Sequence, residues 1–177
     1  CSEERTPSRP ATLYGKCKHE LQLKANSFCE KYQLNLCWGR IFFVYGPHEH
    51  PARLIPSVIN SLLNKKTAEC THGKQYRDLL YVEDVASGFV ALLCNKVTGV
   101  VNIGSGESSM LRNIIEMIGG KIGCSELIRL GSIPSRPGDP ISLVADISKL
   151  RRESGWSPNF DLESGLDKTI QWWKGLI

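Results

Sequence analysis

The spacing of apolar and polar residues predicts that helices and strands alternate along the chain. A first helix is predicted over residues 14–32, where the less polar positions recur every three or four residues: Tyr14, Cys17, Leu21, Ala25, Phe28 and Tyr32. Residues 35–44 form an apolar run with a single charge, Arg40, and end at a Tyr-Gly-Pro turn. We predict that this run is a strand buried on both faces, as in a parallel sheet.

Further predicted helices and strands also alternate along the chain. Short strands are predicted at residues 79–82, 100–103 and 128–130. Helices are predicted at residues 58–63, 85–94, 111–118, 148–154 and 162–177, with Asp84 as the N-terminal cap of the second of these. This alternation is typical of an α/β fold.

Composition narrows the class of protein. The 177 residues are 41% hydrophobic and 23% charged, enough for one globular domain, and no apolar run approaches the ~20 residues of a membrane-spanning helix. The net charge of +4 comes from scattered basic residues, so we expect neither a membrane nor a nucleic-acid partner. The seven cysteines lack Cys-x-x-Cys spacing, and we predict reduced, buried thiols in a cytoplasmic protein.

Tyr14 and Lys18 are the first candidates for chemistry. Four residues apart on a helix, their side chains lie on one face and can reach a common point. An ammonium group nearby stabilises a phenolate, which makes a tyrosine a better proton acceptor and donor at neutral pH. The spacing alone is weak evidence, because an exposed helix with an aromatic edge would show it too.

Four segments in a fixed order along the chain support a catalytic role for Tyr14 and Lys18. They are residues 14–18 (YGKCK), 40–47 (RIFFVYGP), 77–86 (RDLLYVEDVA) and 101–106 (VNIGSG). Together they resemble the extended short-chain dehydrogenase/reductases, the family of NAD-dependent nucleotide-sugar epimerases and dehydratases, and the resemblance runs from about residue 3 to residue 177.

The resemblance implies a fold and its division. We expect the C-terminal part of a Rossmann-like parallel sheet plus a small α/β substrate-binding lobe, with the N-terminal cofactor half outside this chain. Residues 1–50 would belong to the Rossmann-like domain, and residues 51–177 mainly to the lobe, with returning elements of the sheet. The glycine-rich turn that holds the cofactor pyrophosphate is not found here, and Gly104-Ser105-Gly106 is expected to join a strand to a helix instead.

The resemblance also assigns roles near the cofactor, NAD or NADP. Tyr14 matches the catalytic acid/base, and Lys18 matches its partner, which also binds the nicotinamide ribose. Ile41 and Phe42 match residues at a strand end beside the nicotinamide. The residue that separates NAD from NADP in the family is expected to lie outside this chain.

Four positions match substrate-binding residues of the family. Arg77 and Arg136 match arginines that bind the diphosphate of a nucleoside-diphosphate sugar, for which a planar guanidinium is suited. Asp139 matches an acid that accepts hydrogen bonds from the nucleotide ribose. Phe43 departs from the asparagine of many members, and a phenyl ring cannot replace the hydrogen bonds of an amide. Without the family order, Arg77 and Asp78 would be interpreted as a surface ion pair.

The implied function is that of a fragment of an NAD(P)-dependent nucleoside-diphosphate-sugar epimerase or dehydratase, acting by transient oxidation at the sugar C4 hydroxyl. A nucleotide-sugar 4-ketoreductase, a 4,6-dehydratase and a non-catalytic nucleotide-sensing protein on the same fold stay open as alternatives. The parent protein is expected to be a homodimer. No metal is expected, because His48 and His50 lack a second ligand pair.

Overall fold

The computed structural model of the protein describes residues 1–176 and has an α/β fold. The helices in this range are α1 (Leu13–Lys31), α2 (Leu54–Leu63), α3 (Val82–Cys94), α4 (Leu111–Ile122), α5 (Ser148–Ser154) and α6 (Leu162–Lys174). The strands are β1 (Cys37–Ile41), β2 (Phe43–Tyr45), β3 (Ala68–Cys70), β4 (Tyr76–Arg77), β5 (Leu79–Tyr81), β6 (Gly99–Ile103), β7 (Ser109–Met110), β8 (Ile128–Leu130) and β9 (Ser142–Leu143). The predicted α/β class is confirmed.

Strand pairing is mostly parallel. Strand β1 pairs with β6, β2 with β5, β3 with β8, and β4 with β9, whereas β7 runs antiparallel to β4. Parallel neighbours require crossover connections, and helices such as α3, between β5 and β6, provide them. This arrangement is the Rossmann-like parallel sheet expected from the sequence.

The single strand predicted over residues 35–44 is divided in two, because the chain changes neighbours at Phe42. The backbone N–H of Phe42 donates to Ile103 O of β6 at 3.0 Å, whereas that of Phe43 donates to Asp78 O, just before β5, at 3.2 Å. Strands β6 and β5 therefore diverge at the end of β1. Open α/β sheets bind their ligands at such divergence points.

The prediction that this strand is buried on both faces is wrong. Residues of β1 are half-buried, and Ile41 at its end is 46% exposed. In the part of the chain that the structure describes, β1 has a strand neighbour on the β6 side alone. Among residues 1–176, β1 therefore has one flanking strand, and its side chains stay partly accessible to solvent.

Two hydrophobic cores support the fold. One lies among α2, α4 and α6 and includes Ile59, Leu62, Ile114, Leu166 and Trp173. The other lies under α3 and α5 and includes Leu80, Val101, Ile103, Leu150 and Trp156. The division of the chain at residue 50 stays a prediction.

Helix α1 forms as predicted, yet most of its less polar stripe is exposed. Leu21, Phe28 and Tyr32 on this stripe are more than half exposed, whereas the buried residue of the helix is Gln22. Apolar periodicity correctly located this helix, but it did not identify the side that packs against the sheet.

Asp84 does not cap α3, because the helix already begins at Val82. Its carboxylate is fully buried and accepts hydrogen bonds from the backbone N–H groups of Asn159 and Phe160 at 2.9 and 3.0 Å. The Asn159 side-chain amide adds a third bond at 3.1 Å. Asp84 therefore ties the segment before α6 to the start of α3.

The prediction of buried cysteines is also largely wrong. All seven thiols are free, but Cys70 and Cys124 are the two that are buried. Cys17 and Cys94 lie on the outer faces of α1 and α3, where an apolar neighbourhood in sequence does not mean burial.

Helix ends follow local chemistry with one exception. Helix α5 ends at Gly155 as predicted, with the left-handed φ of 67° that glycine adopts readily. Helix α4 continues through Gly119 and Gly120 and ends instead at Gly123, with φ of 75°. Helix α6 ends at Lys174, and Ile177, predicted as the last residue of this helix, lies outside the described residues. No helix among residues 1–176 is both long and apolar enough to cross a membrane.

Candidate active site

The start of α1 places Tyr14 and Lys18. Thr12 caps the helix, because its Oγ1 accepts a hydrogen bond from the backbone N–H of Gly15 at 3.1 Å. The loop before the helix packs closely here: a Cβ added to Gly15 would lie 3.1 Å from the Cβ of Pro10. Tyr14 is thus fixed in the first turn, and Lys18 follows one turn later.

Tyr14, Lys18 and Ile41 line one open cavity of about 440 Å³ beside the end of β1. Tyr14 is 74% exposed, and Lys18 Nζ lies 5.6 Å from the centroid of the Trp38 ring, which lines the same cavity. Tyr14 and Lys18 therefore line one cavity, together with one of the two residues predicted beside the nicotinamide.

A partly buried polar contact that the sequence did not reveal holds α1 on the sheet. Arg40 of β1 donates from Nη2 to Oε1 of Gln22 at 3.3 Å. Gln22 lies one turn beyond Lys18 on the same side of α1, and both residues line the cavity of Tyr14. The signal was present in the sequence as the only charge in an apolar run, but its partner is 18 residues away.

Three consecutive residues at the end of β1 point to three different surroundings. Ile41 lines the Tyr14 cavity, while Phe42 packs against the second core and lines a neighbouring cavity of about 520 Å³. Phe43 instead lies against Arg77, whose guanidinium carbon is 5.4 Å from the ring centroid. Phe42 and Ile41, although adjacent in sequence, thus line different cavities. Phe43 lies against Arg77, the predicted substrate-binding arginine.

Arg77 is buried, at 4% exposure, and is held by three contacts. Its Nη2 donates to Oδ1 of Asp139 at 2.7 Å, and its Nη1 donates to the backbone oxygens of Tyr76 and Pro140 at 2.8 and 2.9 Å. The structure therefore brings together Arg77, Asp139 and Phe43, three of the four predicted substrate residues.

Asp78 does not form a surface ion pair with Arg77. It is fully buried, and its Oδ1 accepts hydrogen bonds from the N–H and hydroxyl of Ser105 at 2.6 and 2.8 Å. Its Oδ2 accepts from the N–H groups of Gly106 and Ala145, each at 3.0 Å. The amides of the Gly-Ser-Gly turn are thus used inside the fold, as expected of a loop that does not bind a dinucleotide.

Arg136 and Asp139 line a third cavity, of about 480 Å³, with Gln75. Arg136 is exposed on the loop before Asp139, so its guanidinium is accessible from solvent. Tyr14 and Lys18 thus line one cavity, whereas Arg136 and Asp139 line another.

Glu49 is a further ionisable group near the site. It lines the cavity beside Phe42, and burial raises the pKa of its carboxyl to about 7, although Arg53, 3.7 Å away, opposes the shift. The Oε2 atom of Glu49 is buried without a hydrogen-bond partner.

Among residues 1–176, no three His, Cys, Asp or Glu side chains are grouped so that they could hold a metal ion.

Comparison with known proteins identifies the family. A family model described as the NAD dependent epimerase/dehydratase family matches residues 1–104. The dTDP-D-glucose 4,6-dehydratase of Mus musculus is 29% identical over 180 residues, which cover 97% of this chain and 50% of that protein. The chain spans about half the length of the curated relatives that it matches.

Solved structures agree with this result. The UDP-glucuronic acid 4-epimerase of Bacillus cereus, in complex with UDP-glucuronic acid and NAD, superposes with a TM-score of 0.89 at 30% identity, covering all of this chain and 57% of that one. The UDP-N-acetylglucosamine 4-epimerase of Methanobrevibacter ruminantium superposes with a TM-score of 0.91 at 28% identity, covering 99% and 57%. The chain belongs to the NAD dependent epimerase/dehydratase family.

Proposed function

We propose that this chain is part of an NAD(P)-dependent nucleoside-diphosphate-sugar epimerase that acts by transient oxidation of the sugar C4 hydroxyl. The observation that carries the proposal is the cavity shared by Tyr14, Lys18 and Ile41. It is supported by the second cluster, in which Arg77, Asp139 and Phe43 lie together. The matched relatives include epimerases and dehydratases of nucleotide sugars.

The residues present fit the nicotinamide end of the cofactor. Lys18 would bind the nicotinamide ribose, and Ile41 offers an apolar, exposed wall in the same cavity. Phe42 packs against the second core directly after Ile41, so we propose that it helps to hold the position of Ile41. The chemistry that the cofactor would supply there is a reversible hydride acceptor for the sugar C4.

Tyr14 would move the proton. Its phenol oxygen would take the proton of the C4 hydroxyl as hydride leaves C4, and give it back when hydride returns. Lys18 would stabilise the phenolate across the cavity, since an ammonium group favours a nearby anion.

The residues that would bind the substrate differ in how far their side chains are already engaged in internal contacts. Arg77 is largely occupied by internal contacts, so we propose that it supplies positive charge and orients Asp139. Arg136 is free to bind the diphosphate bidentately, and Asp139 would accept a ribose hydroxyl. Phe43 would contribute an apolar surface where many relatives place an amide.

A 4,6-dehydratase is the second candidate, because the mouse relative over most of this chain carries that name. Oxidation at C4 would begin both reactions, so the residues of this chain would serve either. A 4-ketoreductase and a nucleotide-sensing protein would use the same substrate cluster, but sensing gives no role to the Tyr14 and Lys18 pair.

We also propose that the parent protein is a homodimer in the cytoplasm. The exposed stripe of α1, with Leu21, Phe28 and Tyr32, is an apolar surface that a second copy of the same helix could cover. The location rests on the seven free thiols. Sedimentation of the intact protein would test the dimer, and a Phe28→Glu variant should shift it toward the monomer.

Calorimetric titration of the intact protein with UDP-, GDP-, CDP- and dTDP-sugars tests the function, followed by NMR analysis of the sugar after incubation with NAD or NADP. We expect binding of at least one nucleotide sugar and inversion at C4. No binding by any of the four would remove the substrate class. Binding without conversion would favour the sensing protein, and loss of water from the sugar would favour the dehydratase.

A further inference from the structure

Gln75 has a buried position and an unusual hydrogen-bond balance next to the substrate cluster. It immediately precedes β4 and is 7% exposed, and its backbone oxygen accepts a hydrogen bond from Leu111 N at 2.9 Å. Its side chain lines the cavity of about 480 Å³ that Arg136 and Asp139 share.

The side-chain amide of Gln75 completes the grip on Asp139. Its Nε2 donates to Oδ2 of Asp139 at 3.1 Å, while Arg77 donates to Oδ1 at 2.7 Å. Asp139 lies on a loop, directly after Gly138, which has a left-handed φ of 75°. Each carboxylate oxygen is therefore tied to a buried donor on the β4 side, which fixes the plane of the carboxylate.

The other half of the amide is left without a partner. Gln75 Oε1 is buried and has no hydrogen bond, and turning the amide over would set this oxygen against the Asp139 carboxylate. An unpartnered buried acceptor lowers stability, and an apolar side chain of similar length would avoid that cost. The favourable contribution of a glutamine at this position is thus its bond to Asp139.

We propose that Gln75 is a positioning residue for nucleotide binding: it holds the Asp139 carboxylate in the orientation in which its remaining lone pairs accept the ribose hydroxyls of the nucleotide. The inference rests on the proposed function, because it takes the ligand of Asp139 to be a nucleoside diphosphate. Gln75 acts through Asp139, and its own buried oxygen makes no contact with the ligand.

The test compares Gln75→Met with the wild type in the intact protein. Calorimetric titration with UDP, GDP, CDP and dTDP identifies the nucleotide that the wild type binds most tightly, and Gln75→Met should raise its Kd about tenfold, the value of one charge-assisted hydrogen bond. The urea midpoint should change little, because removal of the unpartnered oxygen offsets the loss of the bond to Asp139. Gln171→Met, on the exposed face of α6, should change neither quantity.

A double variant separates positioning from other roles. In an Asp139→Ala background, Gln75→Met should change Kd by less than twofold, because its effect passes through the lost carboxylate. An equal loss of affinity in both backgrounds would overturn the proposal, as would a drop in the urea midpoint together with unchanged affinity. If the wild type binds none of the four nucleotides, the proposed function itself fails; if it binds and Gln75→Met binds as tightly, only the positioning role fails.

Discussion

Asp78→Asn should destabilise the protein strongly although it changes one atom. The buried Asp78 carboxylate accepts four hydrogen bonds, two at Oδ1 from Ser105 and two at Oδ2 from Gly106 and Ala145. Asparagine offers one oxygen and one NH₂ group in the same volume. Two of the four donor groups would therefore face the NH₂ group, itself a donor, instead of an acceptor oxygen.

The structure indicates the less costly orientation of that asparagine. Its NH₂ group would lie on the Ser105 side, because the serine hydroxyl can rotate and accept. The backbone N–H of Ser105 would then lose its 2.6 Å acceptor, at about 1–3 kcal/mol, and the bonds from Gly106 and Ala145 would lose charge assistance, at about 1 kcal/mol each. The total is about 3–5 kcal/mol.

Urea denaturation of the intact protein, followed by tryptophan fluorescence, measures this loss, since Trp156 lies in the core that Ala145 joins. Asp167→Asn is the matched control: Asp167 is exposed and binds Lys121 at 2.7 Å, a surface pair worth at most about 1 kcal/mol. If the two variants differ by less than about 0.5 kcal/mol, the argument from the four buried donors is refuted.

Two further predictions concern burial and packing. Burial raises the pKa of Glu49 from 4.5 to about 7, so between these pH values the folded protein holds a proton that the unfolded chain has released. The free energy of unfolding should therefore fall by up to about 3 kcal/mol as the pH rises from 4.5 to 7. Glu49→Gln should remove most of this slope in urea titrations at several pH values, whereas exposed Glu116→Gln should leave it unchanged. Gly165→Ala should cost about 1–3 kcal/mol or more, because the added methyl group overlaps the Tyr45 hydroxyl. Gly120→Ala, with open space around it in α4, should instead stabilise by about 0.5–1 kcal/mol, and equal midpoints for the two alanine variants would contradict the packing shown here.

Local pattern was enough to locate most helices and parallel strands. The elements at residues 79–81, 99–103, 128–130 and 148–154 agree with prediction to within a residue. Periodicity reports which residues of a segment share a face, but the partner of that face is set by distant parts of the chain. This is why the α1 stripe was found while its exposure was not.

Long-range contacts account for what the sequence left undecided. Asp78 and Asp84 stand in one short motif, and their neighbours suggested an ion pair and a helix cap. Their partners, at Ser105, Ala145 and Asn159, lie between 27 and 75 residues further along. Local pattern does not specify such partners, so a buried carboxylate looks the same as a surface one.

The candidate site was likewise predictable only in part from the sequence. The order of four segments picked out Tyr14, Lys18 and Arg77, the family resemblance added Asp139, and the structure places the four residues in two clusters. Gln75 was missed, because a glutamine two residues before an arginine carries no signal until the loop that carries Asp139 folds back over it.

The central claim, that Tyr14 transfers the proton during oxidation at C4, is tested most directly by comparing Tyr14→Phe with Tyr32→Phe in the intact protein. Both tyrosines are exposed, Tyr14 in the first turn of α1 and Tyr32 directly after its last residue, but Tyr14 alone of the two lines the cavity with Lys18. The measurement is the rate of nucleotide-sugar conversion by NMR, with Kd for the same substrate from calorimetry. Tyr14→Phe should lower the rate at least about 100-fold with Kd within twofold, while Tyr32→Phe keeps the wild-type rate. Equal rates for the two variants would contradict the account.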